Sequence, residues 1–259
     1  MVKKMKEDPI GVFDSGIGGV SLLRNMRALL PGEDFIYFGD EKNAPYGTRP
    51  EEEILSLSRK DVEFLLGYHV KAIVIACNTA TSAAAKALRS EMALPIIGIE
   101  PALKPAQLDR KDGMIAVLAT SATLRQKKFQ DLMLLYGERA FPLPCPGLME
   151  FVERGITEGD ELDAFLKKTL SPLDDIQLDG VVLGCTHYSF LSKAIKKALV
   201  RPVRLYDGNE GTARQLKRVL VQRQLDRNGT NGSVRFFTSG DEEKTIPLMK
   251  KLLDMPILL

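Results

Sequence analysis

The chain has no tryptophan, only two histidines and only three cysteines in 259 residues. Three thiols cannot all pair, and no Cys-x-x-Cys or His-x-x-x-His spacing occurs. A disulfide framework is therefore not expected, and a metal held by Cys77, Cys185 and His187 has no spacing to support it. Excess charge is also lacking. Lys and Arg number 36 against 34 Asp and Glu, a net charge of +2, with no basic block beyond pairs such as Lys127-Lys128 and Lys196-Lys197. That speaks against a nucleic-acid partner. No window approaches about 18 uncharged apolar residues, so no membrane span is expected. The basic opening stretch, residues 1–9, lacks the apolar core of a signal peptide. Reduced thiols and a cytoplasmic location are the expectation.

What is present is ordinary for a soluble globular protein: 44% apolar and 27% charged residues, enough for one large core or two modest ones. Short apolar runs alternate with amphipathic stretches. Strands are predicted at residues 10–13, 34–38, 72–76, 96–99, 114–118, 181–183, 203–205 and 234–238. Helices are predicted at 20–29, 50–67, 82–90, 122–136, 159–170, 188–199 and 212–224. This alternation predicts an α/β fold of mostly parallel sheets, with the loops after the strands along one edge where ligands bind. A weak internal echo points to two similar α/β domains facing each other across a cleft. Phe13-Asp14-Ser15-Gly16 and Ala119-Thr120-Ser121-Ala122 each close an early strand, and a cysteine follows each at a nearly equal interval. The plainer explanation, that any α/β chain repeats at this period, stays open. The expected boundary falls near Glu100-Pro101-Ala102, with a return near residues 207–211. The first domain would be 1–100 plus 210–259, and the second 101–209.

Two cysteines stand alike. Cys77 ends Ala72-Ile73-Val74-Ile75-Ala76 and opens Asn78-Thr79-Ala80-Thr81. Cys185 ends Val181-Val182-Leu183-Gly184 and opens Thr186-His187-Tyr188. A thiol at a strand-to-helix turn sits near the positive end of the helix dipole and near free N–H groups, which favour the thiolate. Inert core packing is the duller alternative at Cys77. The polar run after it offers hydroxyl, amide and N–H groups to a carboxylate. Cys185 has an imidazole two residues on, with which a thiol can share a proton.

The segment Asp14-Ser15-Gly16-Ile17-Gly18-Gly19 lets the backbone approach a ligand closely, but its glycines do not match a dinucleotide fingerprint. Asp14 or Ser15 serving as a helix N-cap is the structural alternative. Pro45-Tyr46-Gly47 lies in a loop, residues 40–48, that either merely turns or covers a small substrate. Cys145, between two prolines, reads as structural. Glu153, on its own, reads as a solvated helix-end charge.

Taken together, Asp14-Ser15-Gly16-Ile17-Gly18-Gly19, Pro45-Tyr46-Gly47, Ala76-Cys77-Asn78-Thr79-Ala80 and Gly184-Cys185-Thr186-His187-Tyr188 resemble the glutamate racemases of the aspartate/glutamate racemase family. The resemblance runs from about residue 10 to 211. It implies two facing α/β halves, and racemisation of glutamate without cofactor or metal, supplying D-glutamate for peptidoglycan. It implies that Cys77 and Cys185 are the acid–base thiols, with Asp14 assisting Cys77, His187 assisting Cys185 and Glu153 orienting the imidazole. Asp14, Ser15, Tyr46, Gly47, Asn78, Thr79, Thr186 and His187 would bind substrate. It further implies a homodimer. His187 stands where aspartate racemases usually carry an acid, which favours glutamate. Ser189, Gln126 and Phe129 depart from the family pattern, and Tyr206-Asp207-Gly208 is a loose version of it. An aspartate racemase, another amino-acid racemase and a non-catalytic glutamate-binding sensor are the competing readings.

Overall fold

The computed structural model of the chain describes residues 2–256 and 259. Among these residues, nine strands form two sheets. β1 (Ile10–Asp14), β2 (Phe35–Gly39), β3 (Ala72–Ile75), β4 (Ile96–Gly98) and β9 (Val234–Thr238) make the first, in the order β4-β3-β1-β2-β9. β5 (Met114–Ala119), β6 (Ala140–Pro144), β7 (Leu178–Leu183) and β8 (Arg204–Asp207) make the second, in the order β6-β5-β7-β8. Every strand pair is parallel. The architecture is the expected α/β arrangement of two parallel sheets.

Burial explains the strand sequences. β1, β2 and β3 are buried along their whole length, because helices cover both faces of the sheet, and a strand so enclosed reads as a continuous apolar run. On one face Val12, Val74 and Tyr37 join the core shared with the helix Val20–Leu29. On the other, Phe13, Ile73 and Ile75 pack with Ile54 and Val62 of the helix Glu51–Leu66. After β8 the helix Asn209–Gln222 returns to pack on the helix Val20–Leu29, and the helix Glu242–Asp254 packs on both that helix and β9. The C-terminal part of the chain thus belongs to the first sheet. Among the described residues, no helix is long and apolar enough to cross a membrane.

Several elements depart from expectation. The helix predicted at 122–136 is two, Ser121–Arg125 and Lys127–Tyr136, because Gln126 takes an extended backbone (φ −69°, ψ 142°). There its Nε2 donates to the Thr79 carbonyl at 3.3 Å, a bond across the two halves. The helix predicted at 188–199 begins as a tight turn, Thr186–Leu191, and becomes α-helical only over Ser192–Ala198. The helix after Cys77 starts at once, Asn78–Glu91. β6 was hidden by Pro142 and Pro144, which lack the N–H a central strand needs. It is an edge strand, where that lack is tolerated. The helices Leu103–Asp109 and Glu242–Asp254 add to those predicted, the last carrying Pro247 within it, and Glu153 ends the short helix Met149–Glu153.

Candidate active site

The two sheets present the C-terminal ends of β1, β3, β5 and β7 to one cavity of roughly 300 Å³, its mouth included. Cys77 and Cys185, one from each sheet, both line it. Asp14, Ser15, Tyr46, Gly47, Asn78, Thr79, Thr186 and His187 line it too, joined by Thr120, Met149 and Gly184. Thr120 follows β5 as Ser15 follows β1, so the edge rule for parallel sheets could have marked it; Met149 carries no such signal. Glu153 stands one layer back, behind His187.

On the first sheet, Asp14 ends β1 fully buried. Its Oδ1 accepts the Gly16 N–H at 2.9 Å and the Ser15 hydroxyl at 3.3 Å. Neither residue caps a helix. Gly19 holds the N-cap position of Val20–Leu29 and makes no side-chain cap. The Ser15 Oγ lies 3.7 Å from Cys77 Sγ, between the thiol and the carboxylate. Cys77 itself is the N-cap of the helix Asn78–Glu91, its sulfur accepting the Ala80 N–H at 3.4 Å.

The thiolate-favouring environment expected there does not prevail. Burial, followed by the Asp14 carboxylate, pushes the Cys77 thiol up to about 12, against the opposing pull of the Ala80 N–H and Ser15. A single N–H at 3.4 Å does not offset complete desolvation beside an anion. Burial likewise raises Asp14 above the ordinary carboxylate range, partly offset by the charge of His187.

On the second sheet, Cys185 Sγ lies 3.6 Å from His187 Nδ1, and His187 Nε2 lies 2.5 Å from Glu153 Oε1. Glu153 is therefore not a solvated charge. Its side chain is 16% exposed, and Oε1 also accepts the Ile17 N–H of the opposite half at 3.3 Å. Burial alone would keep the imidazole neutral. The Glu153 carboxylate and the Cys185 sulfur outweigh it and hold His187 well above its ordinary value. Glu153, though its burial works the other way, is held below the usual range by the same imidazolium. The ring fits only because residue 18 is glycine: a Cβ there would overlap Nδ1 and Cε1 of His187.

Three further contacts join the halves around the cavity. The Thr186 Oγ1 donates to Asp14 Oδ2 at 3.1 Å, and the Ser21 hydroxyl donates to the Thr186 carbonyl at 3.0 Å. Thr79 Oγ1 meets Thr123 Oγ1 at 3.0 Å. Of the departures noted above, Ser189 donates to Asp207 at 2.7 Å, and Phe129 packs in the apolar cluster under β5 with Leu103 and Val117. Cys145 is apart from this chemistry: its carbonyl accepts the Tyr188 hydroxyl at 3.0 Å, and burial pushes its thiol up to about 12.

Fold and site together define a class: a two-sheet α/β protein that brings one thiol from each half, Cys77 beside Ser15 and Cys185 beside His187, to a single small cavity. The sequence profile of the Asp/Glu/Hydantoin racemases matches residues 10–216. A glutamate racemase of Clostridium novyi (strain NT) is 53% identical over 250 residues, covering 95% of this chain and 96% of that protein. The crystal structure of glutamate racemase isoform RacE1 from Bacillus anthracis superposes with a TM-score of 0.87 at 34% identity, covering 97% of this chain and 96% of the other. A glutamate racemase from Francisella tularensis, solved in complex with D-glutamate, gives a TM-score of 0.83 at 30% identity, over 98% and 96% of the two chains. The chain belongs to the Asp/Glu/Hydantoin racemase family.

Proposed function

We propose that this chain interconverts L- and D-glutamate by proton exchange at Cα, with Cys77 and Cys185 acting from opposite faces of the substrate. The observation that carries this reading is that two thiols from different sheets line one cavity, each backed by a separate proton partner. Inverting a stereocentre requires a base on one face and an acid on the other, and two groups in opposite protonation states supply both in one step.

We read the resting roles from the surroundings. Cys77, desolvated beside Asp14, keeps its proton and is the first acid. Cys185 is then the first base and keeps the proton it takes, while the His187 imidazolium, held by Glu153, stays beside the sulfur as a hydrogen-bond donor. In the reverse direction Asp14, through the Ser15 hydroxyl, drains the proton from Cys77. As the α-carbon gives up its proton, charge grows on the α-carboxylate. Asn78, Thr79 and Thr186, with the free N–H groups at the start of the helix Asn78–Glu91, are placed to bind that charge. Tyr46 and Gly47 close the other side of the cavity and would meet the rest of the substrate.

The cellular role that follows is supply of D-glutamate for peptidoglycan in the cytoplasm, by a homodimer whose mass light scattering would check. The chain passes between the halves near Glu100–Ala102 and again near Asp207–Gly211. We take 1–100 with 210–259, and 101–209, as the units that open and close on substrate.

Incubation with L-glutamate in deuterated water is the direct test. D-Glutamate labelled at Cα is expected, with L-aspartate turned over far less. Cys77→Ser and Cys185→Ser should each lose racemisation by about 10²–10⁴-fold, unequally for the two isomers. Binding of glutamate with neither label nor D-isomer would leave a sensor instead, and full activity in both serine variants would end the two-thiol reading.

A further inference from the structure

The Tyr46 hydroxyl oxygen lies 2.7 Å from Asp40 Oδ2 and 2.9 Å from Asp61 Oδ2. All three groups are buried: Tyr46 is 1% exposed, and Asp40 and Asp61 are each 3% exposed. A phenol has one proton to donate and can satisfy only one of the two carboxylates. Two ionised carboxylates on one hydroxyl, away from water, would leave one oxygen facing another with nothing between them. The cluster therefore holds one more proton than two aspartates carry when both are ionised.

The neighbours decide where that proton sits. Asp40 has other donors: the Asn43 Nδ2 at 3.0 Å to each oxygen, and the Ser239 hydroxyl at 2.7 Å. Donors therefore surround both of its oxygens. Asp61, on the helix Glu51–Leu66, makes its side-chain hydrogen bond to Tyr46. Burial, then the Asp40 charge, pushes Asp61 up to about 8 against the opposing pull of the Tyr46 hydroxyl, with Asp14 adding to the rise and Lys60 on its own helix opposing it. The same burial and the same two aspartates hold the Tyr46 phenol above its ordinary value, so the phenol keeps its own proton.

We propose that Asp61 is a positioning residue for substrate: its protonated carboxyl donates to the Tyr46 oxygen, Tyr46 donates to Asp40, and this chain locks the Tyr46–Thr48 turn onto the active-site cavity. The lock ties together three elements that are remote in sequence. Asp61 belongs to a helix on the outer face of the first sheet. Asp40 follows β2, and Ser239, which also accepts the Lys42 N–H at 3.0 Å, follows β9. The turn they hold contributes Tyr46 and Gly47 to the cavity wall, and Gly47 is in near contact with Thr120 of the opposite half. Losing the shared proton would set a second buried anion against Asp40 and release the turn. Binding would suffer before chemistry, since no side-chain hydrogen bond links this cluster to either cysteine or its proton partner; the Asp40 N–H meets only the Asp14 backbone carbonyl, at 2.9 Å.

The inference rests on the reading that Tyr46 and Gly47 face substrate, and the test separates the two. KM and kcat for glutamate, and hydrogen exchange of the Asn43, Ala44 and Arg49 amides, are followed from about pH 6 to pH 9.5 in the wild-type chain, Asp61→Asn and Asp61→Leu. In the wild type KM should climb toward tenfold per pH unit above the ionisation of Asp61, with kcat moving far less. Exchange of the three amides should rise over the same range by more than hydroxide alone explains. Asp61→Asn keeps a neutral donor toward Tyr46, so both effects should vanish. Asp61→Leu leaves the phenol oxygen without its donor and should raise KM about five- to a hundredfold at every pH. Robust turnover with identical pH profiles and exchange in wild type and Asp61→Asn would overturn the lock alone. No turnover of any amino acid, with exchange still rising in wild type and flat in Asp61→Asn, would overturn the functional reading and leave the lock standing.

Discussion

Thr186, the residue after the second-sheet cysteine, donates its hydroxyl to Asp14, the last residue of β1, at 3.1 Å. This bond links the Cys77 side of the cavity to the Cys185 side. It is also one of the few donors the buried Asp14 carboxylate has. Thr186→Val keeps the shape and removes the donor, and a buried carboxylate that loses a hydrogen bond becomes harder to ionise. Asp14, already raised by burial, should rise further. The expected result is a fall in kcat/KM of roughly ten- to a hundredfold in both directions, with the acid limb of the pH profile moved to higher pH. Thr186→Ser should retain most activity. Circular dichroism of the amino acid, starting from each isomer, reads all three outcomes.

Gly18 and His187 define a second dependence. A side chain at residue 18 would occupy the volume of the imidazole ring, so Gly18→Ala should swing His187 away from Glu153 and Cys185 without unfolding the chain. Loss of a positioned acid–base partner costs about 10²–10⁴ in rate. The loss should fall on proton transfer at Cys185, leaving Cys77, Ser15 and Asp14 intact. Solvent deuterium exchange into each isomer, followed separately from racemisation, distinguishes this from a general loss of activity. Equal loss of exchange for both isomers would contradict it.

How much of this was legible in the sequence follows from where each signal resides. That Cys77, Cys185, Asp14 and His187 gather at one cavity was readable because each stands within a few residues of a strand's end, and parallel sheets send those ends to one edge. Glu153 looked like a solvated charge from its neighbours alone, and only the family resemblance set it by the imidazole, because its partner is 34 residues away and nothing local marks a carboxylate that will face an imidazole. The Asp40–Tyr46–Asp61 cluster was invisible for the same reason. Asp61 looks like any polar residue of an amphipathic helix until the turn containing Tyr46 folds over it. The fold was readable where strands are buried on both faces, as in β1 and β3. It failed where a local rule was broken, by the prolines of β6 and by the extended Gln126 between two helices.

Glu41 supplies a pH prediction for stability. Its carboxyl, raised to about 8 by burial and then by Glu153, keeps its proton at neutral pH in the folded chain. The unfolded chain releases that proton near the ordinary value of 4.5. Between those two limits the native state binds more protons than the unfolded state, so this group's contribution to stability is full below about 4.5 and lost as pH rises through about 8. Glu41→Gln removes the titration and should flatten the decline. Urea midpoints at about pH 5, 7 and 8.5 measure the slope in both proteins, and a slope no flatter in the variant would show that Glu41 is ionised throughout.

The opposite edge of the first sheet offers a test free of catalysis. Lys71 and Glu33 are an ion pair at 2.5 Å with both side chains fully buried. They stand just before β3 and β2, at the end of the sheet away from the cavity. Lys71 Nζ also donates to the Lys6 carbonyl at 2.6 Å, and Glu33 Oε1 accepts the Arg227 N–H at 2.7 Å. The pair thus clamps the N-terminal segment and the loop before β9 to the base of the sheet. Desolvating two charges costs several kcal/mol each, which their attraction roughly offsets, so the intact pair contributes little net stability. Removing one partner strands the other and costs about 3–5 kcal/mol. Lys71→Met should therefore destabilise strongly, and the double variant Lys71→Met/Glu33→Leu should recover most of the loss. Because the clamp lies far from both cysteines, kcat per folded molecule should be unchanged in every variant. Denaturant unfolding of the four proteins completes the cycle, and additive losses in the double variant would mean that the two charges do not hold each other.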